Sequence, residues 1–173
     1  IARVTMSGFI SGDQRTLKML EDVEKSKTAS AVIVAIDSPG GTAPGSEAVH
    51  EALRRIAAAK PVVAVVNNMA ASGGYIAAMG ADRIFARQTS FVGSIGVIIQ
   101  MPNVSKLLDT VGVKMEEVKS TPLKAAPSPF TPVTDEARKA LEGLIADSYA
   151  WFKNLVKERR NYDAAALDKV ADG

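Results

Sequence analysis

Apolar residues along this chain follow two rhythms. Residues 31–36 (Ala-Val-Ile-Val-Ala-Ile) form a nearly continuous apolar run that stops at Asp37-Ser38-Pro39-Gly40-Gly41. That is the pattern of a strand buried on both faces with a sharp turn after it. Leu17, Leu20 and Val23 before the run, and Val49, Leu53 and Ile56 after it, each mark one side of a helix. Pro61 punctuates, and residues 62–66 predict a second buried strand. Helix, strand, helix, strand in that order implies right-handed crossovers and a mainly parallel sheet, an α/β fold. The first residues, 1–6, also read as a strand.

The second half is less regular. Residues 69–79 are small and apolar around Gly73-Gly74, which predicts a turn followed by a short buried helix. Residues 84–86, 97–99 and 113–118 read as short strands, the last despite Glu116 and Glu117. Residues 104–111 predict a helix ended by Gly112. Residues 120–132 contain Pro122, Pro127, Pro129 and Pro132, so they form an extended loop. Thr134 then caps a long helix, with Asp135 and Glu136 in its first turn, where the helix dipole favours them. Its apolar stripe comprises Ala137, Leu141, Leu144, Ile145, Ser148, Phe152, Leu155 and Val156.

Composition narrows the functional classes. At 173 residues the chain predicts a single domain over 1–173, with 133–173 as a helical extension. The 21 basic and 19 acidic residues leave a net charge of +2 and are scattered, so no nucleic-acid partner is expected. Cysteine is absent, which removes thiolate catalysis and thiolate metal sites. One histidine and isolated carboxylates (Asp13, Asp37, Asp82, Asp109) make a poor metal set, so no metal is expected. No apolar run reaches the roughly 18 residues of a membrane span. The chain opens on a strand without Met and closes on a Gly, as a piece of a longer protein would.

Four positions have candidate chemistry. The segment Ser38-Pro39-Gly40-Gly41-Thr42-Ala43-Pro44-Gly45 lacks the lysine of a phosphate-binding loop. It is either a tight turn or a set of exposed backbone N–H groups that form an oxyanion hole. Ser72 stands at a strand-to-helix junction before Gly73-Gly74-Tyr75. It is either a helix cap or a nucleophile whose Oγ is lifted toward a cleft. His50, the sole histidine, sits on an ordinary amphipathic helix and reads as structural or surface. A nucleophilic Ser72 would then need a lysine base, freed of its proton by desolvation or nearby positive charge. Lys124, in a proline-braced loop, suits that role, whereas Lys114 and Lys119 lie beside glutamates and read as solvated charge. Ser94, in the turn Gly93-Ser94-Ile95-Gly96, either bonds its own backbone or orients such an amine. Tyr149 and Trp151 fall on the long helix and read as packing residues.

Asp37-Ser38-Pro39-Gly40-Gly41, Ala71-Ser72-Gly73-Gly74-Tyr75, Gly93-Ser94-Ile95-Gly96-Val97, and Lys119-Ser120 with Lys124 and Pro129-Phe130 occur in that order. Together they resemble the signal peptide peptidase A family, Ser–Lys proteases (peptidase family S49) of bacterial membranes that degrade cleaved signal peptides. The resemblance implies a ClpP/crotonase-type fold of repeated βαβ units, with Ser72 as nucleophile and Lys124 as general base. It further implies that Ser94 bonds the lysine amine, and that Gly40, Gly41 and the N–H of Gly73 form the oxyanion hole. Having both Ser and Lys in one short stretch resembles the single-length members. Thr121-Pro122 departs from the family, which has Gly after the Lys-Ser pair.

Further expectations follow from the resemblance. Substrates are unfolded apolar peptides such as signal-peptide remnants, no cofactor takes part, and the domain works as a homo-oligomer. The parent is anchored in the bacterial cytoplasmic membrane with this domain on the extracytoplasmic side. Rival readings are a stomatin-partner-type membrane protease, a crotonase-like enzyme acting on acyl-CoA, and a non-catalytic scaffold. Neither of the last two needs Ser72 or Lys124.

Overall fold

The computed structural model describes residues 1–173, which divide into two compact units. The first comprises residues 1–96 and 151–173, the second residues 97–150. The first unit contains a five-stranded parallel sheet. Strands β1 (Ala2–Ile10), β2 (Val32–Gly41), β3 (Val62–Ala71) and β4 (Arg83–Ala86) lie side by side in that order. A short β5 (Phe91–Gly93) continues along β3 beyond β4, pairing Met69, Ala70 and Ala71 with Phe91, Val92 and Gly93. Helices α1 (Gln14–Lys25), α2 (Ala43–Ala59) and α3 (Gly73–Ala78) connect successive strands, as an α/β alternation requires.

The apolar runs read from the sequence are the centre of this unit. Val32, Val34 and Ile36 of β2 and Val62, Ala64 and Val66 of β3 are fully buried, and Leu20, Val49, Leu53 and Ile56 cover them from α1 and α2. Each of the valine, leucine and isoleucine side chains stabilises the fold by about 1.5–3 kcal/mol relative to exposure. Local caps fix where the helices begin. Asp13 Oδ1 accepts from the Thr16 N–H at 3.0 Å, and Thr42 Oγ1 accepts from the Gly45 N–H at 3.1 Å. At the far end of α1 the Lys60 amine donates to the carbonyls of Val23, Glu24 and Ser26, tying that helix to the start of β3.

Three expectations need correction. The segment after residue 36 is not a sharp turn. β2 runs on through Ser38-Pro39-Gly40-Gly41, because β1 is long enough to pair Phe9 with Gly40 and Ile10 with Gly41 after a register shift at Gly8. Pro39 is tolerated because it falls within that register shift, between Asp37 and Gly40, and beyond Ser38, the last residue paired with β3. Residues 97–99 and 113–118 are not strands. No neighbouring strand pairs with either segment, and their apolar side chains (Ile98 at 72% and Val118 at 104% exposure) stay in solvent.

The second unit contains α4 (Ser105–Thr110), the proline-rich loop, and the N-terminal part of α5 (Asp135–Arg160). Asn103 Oδ1 accepts from the Ser105 N–H at 3.0 Å, and the Val104 N–H donates to the Pro129 carbonyl at 2.8 Å. Thr134 Oγ1 caps α5 by accepting from the Ala137 N–H at 3.2 Å, as the sequence predicts. Of the predicted α5 stripe, Ala137, Phe152 and Val156 are buried, whereas Leu144 is exposed.

In the first unit, two arginines close the C-terminal end of α3, where helix carbonyls have no partners of their own. Arg159, on the last turn of α5, donates to the carbonyls of Met79 and Ala81, and Arg54 donates to that of Gly80. His50, read from the sequence as structural or surface, is structural. It is buried, and its Nδ1–H donates to the Ile76 carbonyl at 3.0 Å. Desolvation, outweighing that bond, lowers its pKa below the ordinary 6.5, with Arg159 and Arg54 pushing the same way. Folded His50 therefore takes up a proton less readily than unfolded His50. Its contribution to stability is complete above pH 6.5 and is lost as pH falls through that value toward the lowered folded one. With one histidine in the chain, urea midpoints measured between pH 7.5 and 5.5 should fall on acidification. The fall should be much smaller in His50→Gln, and an equal fall in both proteins would contradict this origin.

Candidate active site

The sequence between β3 and α3 leaves the chain almost no room to turn. Strand β3 ends at Ala71, Gly73 is already helical, and Ser72 alone makes the junction. It does so at φ 49° and ψ −117°, an unusual conformation for a residue with a side chain. Its backbone is held on both sides. The Ser72 N–H donates to the Gly93 carbonyl at 2.8 Å, and the Ser72 carbonyl accepts from Tyr75 and Ile76 at 2.9 and 3.0 Å. The side chain makes no capping bond. A serine used as a cap would accept an N–H of the first turn; this one stays half-buried with that bond unmade.

The end of β2 packs directly against this junction. A Cβ placed on Gly40, whose φ is +123°, would stand 3.0 Å from Ser72 Cβ and 3.2 Å from the Gly73 nitrogen. A Cβ on Gly73 would stand 2.1 Å from Ser46 Oγ and 2.9 Å from the Gly41 nitrogen, and one on Gly74 would stand 2.8 Å from the Ser38 carbonyl oxygen. Gly40, Gly73 and Gly74 therefore allow two backbone segments, residues 38–41 and 72–74, to touch without side chains between them. Ser38, fully buried, fixes the first segment: its hydroxyl donates to the Gly8 carbonyl at 2.7 Å and accepts from the Gly40 N–H at 3.1 Å. The Gly40 N–H is thus already engaged.

Of the residues singled out in the sequence, the structure brings together Ser72, Gly40, Gly41 and Gly73. Ser94, at φ 53° and half-buried, adjoins them through Gly93, whose carbonyl holds the Ser72 N–H. Lys124 belongs to the second unit, in the proline-rich loop, where it is exposed and its N–H donates to the Thr121 carbonyl at 3.1 Å. The desolvation expected of it is not present in this chain. Lys119 is half-buried rather than solvated, and its amine pairs with Glu117 at 2.5 Å, which holds that carboxyl below the usual range. Sequence reasoning missed two hydroxyls, Ser38 and Ser46. Ser46 was detectable, because positions 46, 49, 53 and 56 share one helical face and a serine among Val49, Leu53 and Ile56 is buried by its spacing.

No cluster of His, Asp and Glu suited to a metal occurs, and no helix is long and apolar enough to cross a membrane. The sequence profile of Peptidase family S49 matches residues 54–173. A Synechocystis protein named as a candidate protease is 38% identical over 100% of this chain and 63% of its own length. An Enterococcus faecium protein named as a candidate signal peptide peptidase SppA is 35% identical over 92% of this chain and 47% of its own. The chloroplastic serine protease SPPA of Arabidopsis thaliana is 31% identical over 92% of this chain and 24% of its own. The chain therefore spans only part of the length of these relatives. Among solved structures, a point mutant of ClpP1 from Listeria monocytogenes superposes with a TM-score of 0.54, covering 99% of this chain and 80% of that one. At 15% identity that likeness establishes the ClpP-like fold and nothing finer. The profile match extends over more than half of the sequence and includes Ser72, Ser94 and Lys124, and the chain belongs to peptidase family S49.

Proposed function

We propose that this chain is the catalytic domain of a serine endopeptidase in which Ser72 and Lys124 form the reacting pair. The observation that supports this most directly is Ser72 itself. It is held at a positive φ between β3 and α3, unused as a cap, and faces the glycine-lined end of β2. In the proposed reaction the neutral Lys124 amine takes the Ser72 hydroxyl proton while Oγ attacks a peptide carbonyl. The N–H groups of Gly41 and Gly73 hold the resulting oxyanion, and Gly40 supplies the backbone bend rather than a donor, since Ser38 occupies its N–H. The lysine ammonium then protonates the leaving amine, and water released onto the ester by the same base regenerates the serine. Ser94 orients the amine. No cofactor enters the reaction.

The substrate class follows from surface chemistry together with the family. Phe85, Phe91 and Val92 are exposed on β4 and β5 at the sheet's edge. An extended apolar peptide could pair with that edge and cover those side chains. The name of the Enterococcus relative supports signal-peptide remnants as such substrates. The family resemblance supports the remainder of the reading: a homo-oligomer whose parent is anchored in the bacterial cytoplasmic membrane, with this domain on the extracytoplasmic side.

A serine-directed peptide phosphonate should label the protein stoichiometrically at Ser72, located by mapping the modified peptide. Labelling elsewhere, or none, would overturn the reading. Ser72→Ala should lower kcat on an apolar peptide by more than about a thousandfold while leaving KM close to parental. Lys124→Met should be about as damaging, and Lys124→Arg should not rescue it, because a guanidinium does not give up its proton. Ser94→Ala should be milder than either. Retained turnover in Lys124→Met would remove lysine from the mechanism and leave Ser72 to another base.

A further inference from the structure

Ser46 is the one buried side-chain oxygen of the chain without a hydrogen-bond partner. The residue is 0% exposed, on the first turns of α2. A helical serine ordinarily folds its hydroxyl back onto the carbonyl four residues earlier. Here the Thr42 carbonyl receives the Ser46 backbone N–H at 2.9 Å but not the hydroxyl, which has no partner. Burying a hydroxyl without a partner is unfavourable, and folded proteins satisfy nearly all of them. Its direction shows where a partner would lie. The space a Cβ on Gly73 would occupy is 2.1 Å from Ser46 Oγ and 2.9 Å from the Gly41 nitrogen, so the hydroxyl occupies the seam between the two segments that line the proposed oxyanion hole.

We propose that Ser46 is a positioning residue for that hole, its hydroxyl acquiring a hydrogen bond to the Gly41–Gly73 backbone only when those peptides turn toward the oxyanion. This rests on the reading of Ser72 as the nucleophile. Ser46 is too deeply buried to touch substrate, so it acts through the glycine backbone. A hydroxyl can donate or accept, and glycines on either side of the seam allow the peptide planes to rotate at little cost. A bond absent in the resting protein and present in the reacting one strengthens the transition state alone, and so appears in kcat and not in KM. The resting protein bears the unsatisfied hydroxyl, as active sites commonly retain local strain that a purely structural position would have lost.

This arrangement makes an unusual prediction about Ser46→Ala. Removing an unpartnered buried hydroxyl should leave the melting temperature unchanged or raise it by about a few degrees. The same change should lower kcat about tenfold or more, a smaller loss than removal of a hole donor itself, with KM within about twofold. Affinity for a peptide boronic acid, which forms a tetrahedral adduct on the serine, should weaken by the same factor as kcat/KM. Binding of an uncleaved apolar peptide, measured in a Ser72→Ala background, should be indifferent to the added Ser46→Ala. Parental activity that does not depend on Ser72 would refute the nucleophile reading, and this proposal with it. In a protein whose activity does depend on Ser72, full kcat in Ser46→Ala would refute this proposal alone. So would a lowered melting temperature or failure to fold, which would show an ordinary structural hydroxyl.

Discussion

The structure depends on one close approach, that of the backbone at Gly40 to Ser72 and Gly73. No side chain fits between them: a Cβ on Gly40 would already stand 3.0 Å from Ser72 Cβ. The end of β2 and the start of α3 are consequently built from Ser-Pro-Gly-Gly and Ser-Gly-Gly. The surrounding interactions hold that contact in place. Ser38 ties Gly40 to Gly8, Arg54 and Arg159 close the far end of α3, and Val34, Ile36 and Val66 of the strands beneath are fully buried. The positive φ of Ser72 costs about 1–3 kcal/mol, comparable with the burial of one aliphatic side chain, and the core contains many.

This rigidity is confined to the first unit. There the Ser72 hydroxyl and the peptides proposed as donors lie at strand ends and a helix start, elements that hold position well while their glycines leave individual peptide planes free to rotate. The residue proposed as base comes from a different kind of structure, an exposed proline-rich loop with few internal bonds. Desolvation is what would ready a lysine for proton abstraction, and that surrounding is not supplied to Lys124 within this chain. A peptide bound over the serine, or further protein, would have to provide it. Within this chain the surroundings of Ser72 are built from ordered strand and helix ends, whereas Lys124 stands exposed.

Much of this was legible in the sequence, for identifiable reasons. Strands buried on both faces announce themselves as apolar runs, so β2 and β3 were clear, and spacing by three and four located the faces of α1 and α2. Thr134 marked the start of α5 because capping is a local interaction. The same local logic failed at residues 37–41, where Pro and Gly signal a turn but pairing with β1 keeps the chain extended. It failed again at residues 97–99 and 113–118, since an apolar stretch becomes a strand only when a neighbour accepts its hydrogen bonds. At the site, Ser72 and the glycines could be read as one motif after another, but their contact could not. The orphaned hydroxyl of Ser46 and the engagement of the Gly40 N–H are properties of packing between distant segments. No pattern along the chain states them.

The central claim is that residues 38–41 and 72–74 together make an oxyanion hole around Ser72. A crystal structure of the protein with a peptide phosphonate or boronic acid bound tests it most directly. The account predicts a covalent bond to Ser72 Oγ, with one adduct oxygen within hydrogen-bonding distance of the N–H groups of both Gly41 and Gly73. An adduct on Ser72 whose oxygens point to solvent or to other donors would contradict it, whatever the rate of the reaction.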